Sequence, residues 1–131
     1  SEMEQPEEAV VYLERLRRVV RGDRDALEKV AEQYEALEYP QEAVETYDLL
    51  LEIAPGQGEY HFAQARLFLT SIGDERRGLA ALRAALQAGF SQTEPIAELL
   101  DTENLVAPAG VEALFSEFDL LPVTAESSAE E

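Results

Sequence analysis

The chain has 131 residues, ten Lys or Arg against 28 Asp or Glu, a net charge of −18 and no cysteine. That is the length of one domain able to bury a core without staples, and it excludes disulfides and thiolate metal sites. The charge argues against DNA, RNA and anionic membranes, no apolar run approaches the ~18 residues of a bilayer span, and the Glu-, Gln- and Pro-rich first eight residues show no signal peptide, so a cytoplasmic location is expected.

The first predicted helix runs from about residue 6 to 21. Pro6 suits an opening turn, where its missing N–H costs nothing, and Ala9, Val10, Leu13, Leu16, Val19 and Val20 recur at helical spacing. Gly22-Asp23 ends it, and Asp23 caps the next helix, about 24–37, whose buried face is Leu27, Val30, Ala31 and Tyr34. Pro40 opens a third helix to about residue 53, with Ala43, Val44, Tyr47, Leu50 and Leu51 inward, before the break at Pro55-Gly56-Gln57-Gly58. A fourth helix spans about 59–71, Ile72-Gly73-Asp74 turns the chain, and a fifth spans about 75–88 and stops at Gly89 in a left-handed cap.

Beyond it, Thr93 is expected to cap a short helix reaching Leu100. Residues 104–110 read as a loop containing Pro108, and Val111 to Leu120 as a last amphipathic helix ended by Pro122. From Ala84 onward there are ten acids and no Lys or Arg. Residues 124–131 are small, polar and acidic, too poor in apolar surface to offset their ordering entropy, and read as a disordered tail. No segment alternates with period two, so the expected fold class is all-α.

Two of these helix pairs fit one template about 34 residues apart: Leu27, Val30, Ala31, Tyr34, Ala43, Tyr47, Leu50 and Pro55, then Phe62, Ala65, Arg66, Leu69, Gly78, Leu82 and Ala85. The spacing resembles the tetratricopeptide repeat, W-x2-L-G-x2-Y followed by A-x3-F and P. Small residues, Ala43 and Gly78, stand where helices approach closely, and Tyr47 and Leu82 fill the gap four residues on. Arg66 departs from the pattern where a small residue is usual, as does Phe90 where Pro is usual. Ala9 and Leu13 precede Ala43 and Tyr47 by 34 residues, so the first helix resembles the second helix of an earlier repeat. The implied organisation is 1–23 as a half repeat or cap, 24–57 and 58–92 as two repeats, 93–123 as a helical cap, and 124–131 as the tail.

The resemblance implies an α-α superhelix of antiparallel hairpins that binds a partner on its concave face, lined by the first helix of each repeat. Asp25, Glu28, Glu32 and Glu35 then form an acidic groove wall suited to Arg or Lys side chains. Tyr60, Ala63, Leu67 and Thr70 hold the equivalent face of the fourth helix and, if exposed, supply an apolar floor. The opposing readings are a solvated acidic face, and a floor covered by the C-terminal segment or another subunit. The family's carboxylate clamp is absent, since Glu28 and Glu32 occupy its positions.

Arg15, Arg17, Arg18, Arg21 and Arg24 form the one basic cluster, expected to pair with local acids such as Glu14 and Glu28. His61 is the sole histidine and has no ligand-spaced partner. No nucleotide-binding or nucleophile-elbow motif occurs. The expectation is therefore a non-enzymatic scaffold with no catalytic residue, metal or cofactor, binding a basic protein or peptide. The alternative is an end-module of a longer array or a self-association domain, that is, a homo-oligomer.

Overall fold

The computed structural model describes residues 5–120. Among them are seven α-helices and no strand: α1 Gln5–Val19, α2 Arg24–Ala36, α3 Pro40–Ile53, α4 Gly58–Leu67, α5 Glu75–Gln87, α6 Thr93–Leu100 and α7 Pro108–Glu117. The protein is all-α. The Pro122 stop and the acidic tail at 124–131 lie outside the described residues.

Helix starts follow local chemistry. The Asp23 side chain accepts from the Ala26 amide and Asp74 from the Arg77 amide, each satisfying an orphan N–H of a first turn. Pro40 opens α3 as expected. Two expectations are corrected. Thr93 sits inside the first turn of α6 rather than capping it, and Gln92 precedes it without a side-chain cap bond. Pro108 opens α7 instead of lying in a loop, because its fixed φ and missing N–H suit the first helical position.

Three helices end in the same way. At the end of α2 the Glu38 amide donates to the Glu35 carbonyl and the Tyr39 amide to the Tyr34 carbonyl. Gly89 and Phe90 repeat the pattern after α5, and Asp119 and Leu120 after α7. The pivot residue is left-handed each time, with φ 65° at Glu38, 97° at Gly89 and 62° at Asp119. Only the second is glycine, the residue this geometry favours.

Each helix packs chiefly on its chain neighbours: α1 on α2, α2 on α3, α3 on α4, α4 on α5, and α7 on α5 and α6. Two apolar clusters result. The first joins Leu13 of α1 to Leu27, Val30 and Tyr34 of α2, Tyr47 and Leu50 of α3, and Tyr60 and Leu67 of α4. The second joins Phe62, Ala65 and Leu69 to Leu82, Ala85 and Leu86 of α5 and to Ile96, Leu99, Val111 and Phe115 of α6 and α7. The α4 segment belongs to both, so it is buried on two sides.

A π-helical turn, Phe68–Ile72, prolongs α4. There the amides of Gly73 and Asp74 both donate to the Phe68 carbonyl. The Leu69 carbonyl is thereby left for the Val106 amide, 2.9 Å away in the α6–α7 connection. The turn also sits against α5 at Gly78, where a Cβ would come within 2.5 Å of Leu69 Cγ.

Two substitutions check these readings. Gly78→Ala improves helix propensity by about 1 kcal/mol, but overpacking against fully buried Leu69 costs about 1–3 kcal/mol. A net fall in denaturation midpoint is expected, and a rise would mean that Leu69 has room to move. Glu38→Gly removes left-handed strain and is expected to stabilise by up to about 1 kcal/mol in urea unfolding. An unchanged or lower midpoint would count against the strain.

Candidate functional site

The four acids predicted on α2 divide into two pairs. Glu28 accepts a hydrogen bond from the Tyr60 hydroxyl. The same hydroxyl accepts from Arg24 Nε at 2.7 Å, and Arg24 Nε lies 3.9 Å from the Glu28 carboxylate. Glu35 accepts from the Tyr47 hydroxyl at 2.7 Å through one oxygen and from Arg66 Nη2 at 2.9 Å through the other. Asp25 and Glu32 are exposed and make no ion pair among the described residues.

Burial raises the pKa of both tyrosines, and the facing carboxylates raise it further. Tyr47 and Tyr60 thus stay protonated donors at any physiological pH. Their rings lie 6.1 Å apart, between α2 and the rest of the first cluster. Half-buried Arg66 of α4 leads its guanidinium out to Glu35.

The expected apolar floor is not open. Tyr60, Ala63 and Leu67 are all buried, and Thr70 is half-buried with its hydroxyl donating to the Arg66 carbonyl at 2.6 Å. What covers them is α2 and α3, through the first cluster. The reason is the central place of α4, which needs apolar residues on both flanks.

A cleft of about 330 Å³ opens where α2 ends. Glu35, Glu38, Pro40, Leu67 and Ser71 line it. Glu35 and Leu67 were among the residues expected at the site. Glu38, Pro40 and Ser71 were not, because they belong to the turn after α2 and to the π-helical turn. The only local signal was Pro40, which marks the turn.

Of the basic cluster, Arg24 pairs with Glu28 as expected, whereas Arg17 and Arg21 pair with α3. Arg17 reaches α3, donating to the Glu42 carbonyl and to Thr46 Oγ1, with Glu45 at 3.6 Å. It also lies over the ring of Tyr34, whose fully buried hydroxyl has no hydrogen-bond partner. Arg21 lies 3.6 Å from Glu52. Val19, expected on the apolar inner face of α1, is instead 82% exposed, and Tyr12 is 64% exposed. Together with Val30 of α2, the residues Ala9, Leu13 and Leu16 line an apolar groove of about 270 Å³ beside Tyr12.

No helix among the described residues is long and apolar enough to cross a membrane, and no group of three or more His, Cys, Asp or Glu among them is placed to hold a metal ion. No protein-family model, curated protein or solved structure matches the chain.

The two contacts of Glu35 differ in worth. A hydrogen bond from a buried hydroxyl to a carboxylate contributes about 1.5–3 kcal/mol, whereas an ion pair to an arginine side chain 39% exposed contributes about 0–1 kcal/mol. Double-mutant cycles in urea should therefore give Glu35→Ala a larger coupling with Tyr47→Phe than with Arg66→Ala. Equal couplings would refute that ranking.

Proposed function

We propose that the chain is a non-enzymatic protein-binding module with a tetratricopeptide-like stack of helix hairpins. Its ligand is a basic segment of a protein or peptide, bound along α2 and seated in the cleft at the end of that helix. The cleft carries this reading: Glu35 and Glu38 stand beside Leu67 and Pro40, so carboxylates and apolar surface meet in one concavity. An Arg or Lys side chain lays its aliphatic stem on the apolar part and brings its head to the carboxylates. Exposed Asp25 and Glu32 extend the negative surface along α2 and steer a basic partner toward it.

The division among the acids supports the same reading. Glu35 is already oriented by Tyr47 and Arg66, so a cation meets a carboxylate that loses little freedom on binding. The net charge of −18 adds a favourable long-range attraction for basic partners. A second reading, self-association, is favoured by the exposed apolar side chains on α1.

The test leaves the folding network intact. Glu28 and Glu35 are unsuitable for charge reversal, because their loss would strand buried tyrosine hydroxyls. Glu32→Lys and Glu38→Lys alter exposed positions. A panel of peptides with Arg or Lys beside Leu or Phe is titrated against labelled protein, and amide shifts are followed by NMR. Shifts centred on Glu35, Glu38, Leu67 and Ser71 are expected. The double variant should weaken binding by about tenfold or more, and so should raising the salt from about 50 to about 500 mM. Binding that ignores charge and salt, or shifts elsewhere on the surface, would overturn the proposal.

A further inference from the structure

We infer that α1 is a self-association surface, on which two copies of this chain pair antiparallel about a two-fold axis beside Tyr12, each copy's Glu8 meeting the other's Arg15. This rests on the self-association reading above.

Helical register supplies the first argument. Ala43, Tyr47 and Leu50 are the residues by which α3 meets α2, and all three are buried. In α1 the residues in the same register are Ala9, Leu13 and Leu16. Leu13 is buried, but Ala9 and Leu16 line an open groove with Val30. That groove is the seat of a helix. Tyr12 also lines it, and Tyr12 and Val19 are two of the four large apolar side chains exposed among the described residues. Tyrosine anchors of this kind carry a large share of interface energy.

Charge decides which helix fills the seat. Residues 5–24 contain Glu7, Glu8, Glu14 and Asp23 against Arg15, Arg17, Arg18, Arg21 and Arg24, a local net charge of +1 in a chain of −18. Two copies repel strongly over most of their surface and least at this end. Within α1 the charge is also polarised. Glu8 is exposed in its N-terminal half, and Arg15 and Arg18 are exposed in its C-terminal half. Glu8 and Arg15 are seven residues apart, two helical turns, on the edge that carries Tyr12. An antiparallel pair centred between them therefore matches opposite charges twice, as an isologous contact requires.

The head-to-tail alternative, α1 on the acidic α6–α7 end, is disfavoured. No large apolar side chain is exposed on that end among the described residues, so Tyr12 would meet no counterpart there, although a cleft of about 420 Å³ lined by Leu79 and Leu114 lies between α5 and α7. A single helix face with its groove is a small interface, so the association is expected to be weak and concentration-dependent.

Sedimentation equilibrium over a concentration series tests this with five samples: wild type, Y12E, E8R, R15E, and an equimolar mixture of the two charge variants. All three positions are exposed, and circular dichroism verifies that each variant is folded. The wild type should dimerise. Y12E and either charge reversal should each lower the association constant by at least about tenfold. The mixture should recover it, since a pair made from one copy of each has two matched contacts. A wild type that stays monomeric overturns both this inference and the self-association reading. Association unaffected by Y12E overturns the α1 seam alone. Loss with Y12E but no recovery in the mixture overturns the two-fold arrangement.

Discussion

The Glu35 carboxylate ties three helices together. It belongs to α2, accepts the Tyr47 hydroxyl from α3 and accepts the Arg66 guanidinium from α4. Glu28, two turns earlier, accepts the Tyr60 hydroxyl and so ties α2 to α4. A tyrosine placed between packed helices brings a large apolar body and a hydroxyl that needs an acceptor. In this chain that acceptor is supplied by the carboxylates on the α4 side of α2. Acidity here is thus partly a packing requirement, and a charge count alone overstates how much of the acidic wall is available to a ligand.

This division also places the cleft. Arg66 is half-buried on α4, and its head is held at Glu35. The pairing fixes the carboxylate that borders Leu67 and Pro40. Beyond it the chain turns through left-handed Glu38, and α4 changes into the π-helical turn. The concavity arises where two departures from regular helix face each other, one at the end of α2 and one at the end of α4. Both departures also serve the first cluster, to which Phe68 belongs and against which Leu37, Tyr39 and Ile72 pack.

Much of the helical order was legible from apolar spacing, because Leu27, Val30, Ala31 and Tyr34, or Gly78, Leu82 and Ala85, recur at a period that only a helix satisfies. Asp23 and Gly89 were legible for a local reason, since each has one dominant structural use, and Pro40 was legible because an apolar-periodic run follows it directly. Thr93 and Pro108 were not, since Thr can sit inside a first turn as well as before it, and Pro suits a loop or a first turn equally. Glu38 carries no sign of its left-handed backbone. The π-helical turn leaves the Leu69 carbonyl to the Val106 amide, a distant partner that no local pattern encodes. Exposure of the α4 face was misjudged because period shows which residues share a face, not how many neighbours that helix will have. An α4 lying between two clusters hides residues that would line a surface in an outer helix.

The charge of −18 forbids contact between copies only if it is treated as a single number.

At physiological ionic strength the screening length is about 8 Å, shorter than α1, which at 1.5 Å per residue runs more than 20 Å over its 15 residues. Acids on α6 and α7 are therefore felt weakly by a second copy approaching α1, whereas the arginines of α1 itself are felt in full. Local balance, not net charge, sets whether apolar contact is reached. The same screening works in the other direction for α2, where Glu32, about one turn before Glu35, sits within a screening length of the cleft's own carboxylate and acts with it on a basic ligand. One chain thus presents a near-neutral apolar edge and a concentrated acidic one, and the two favour different kinds of partner.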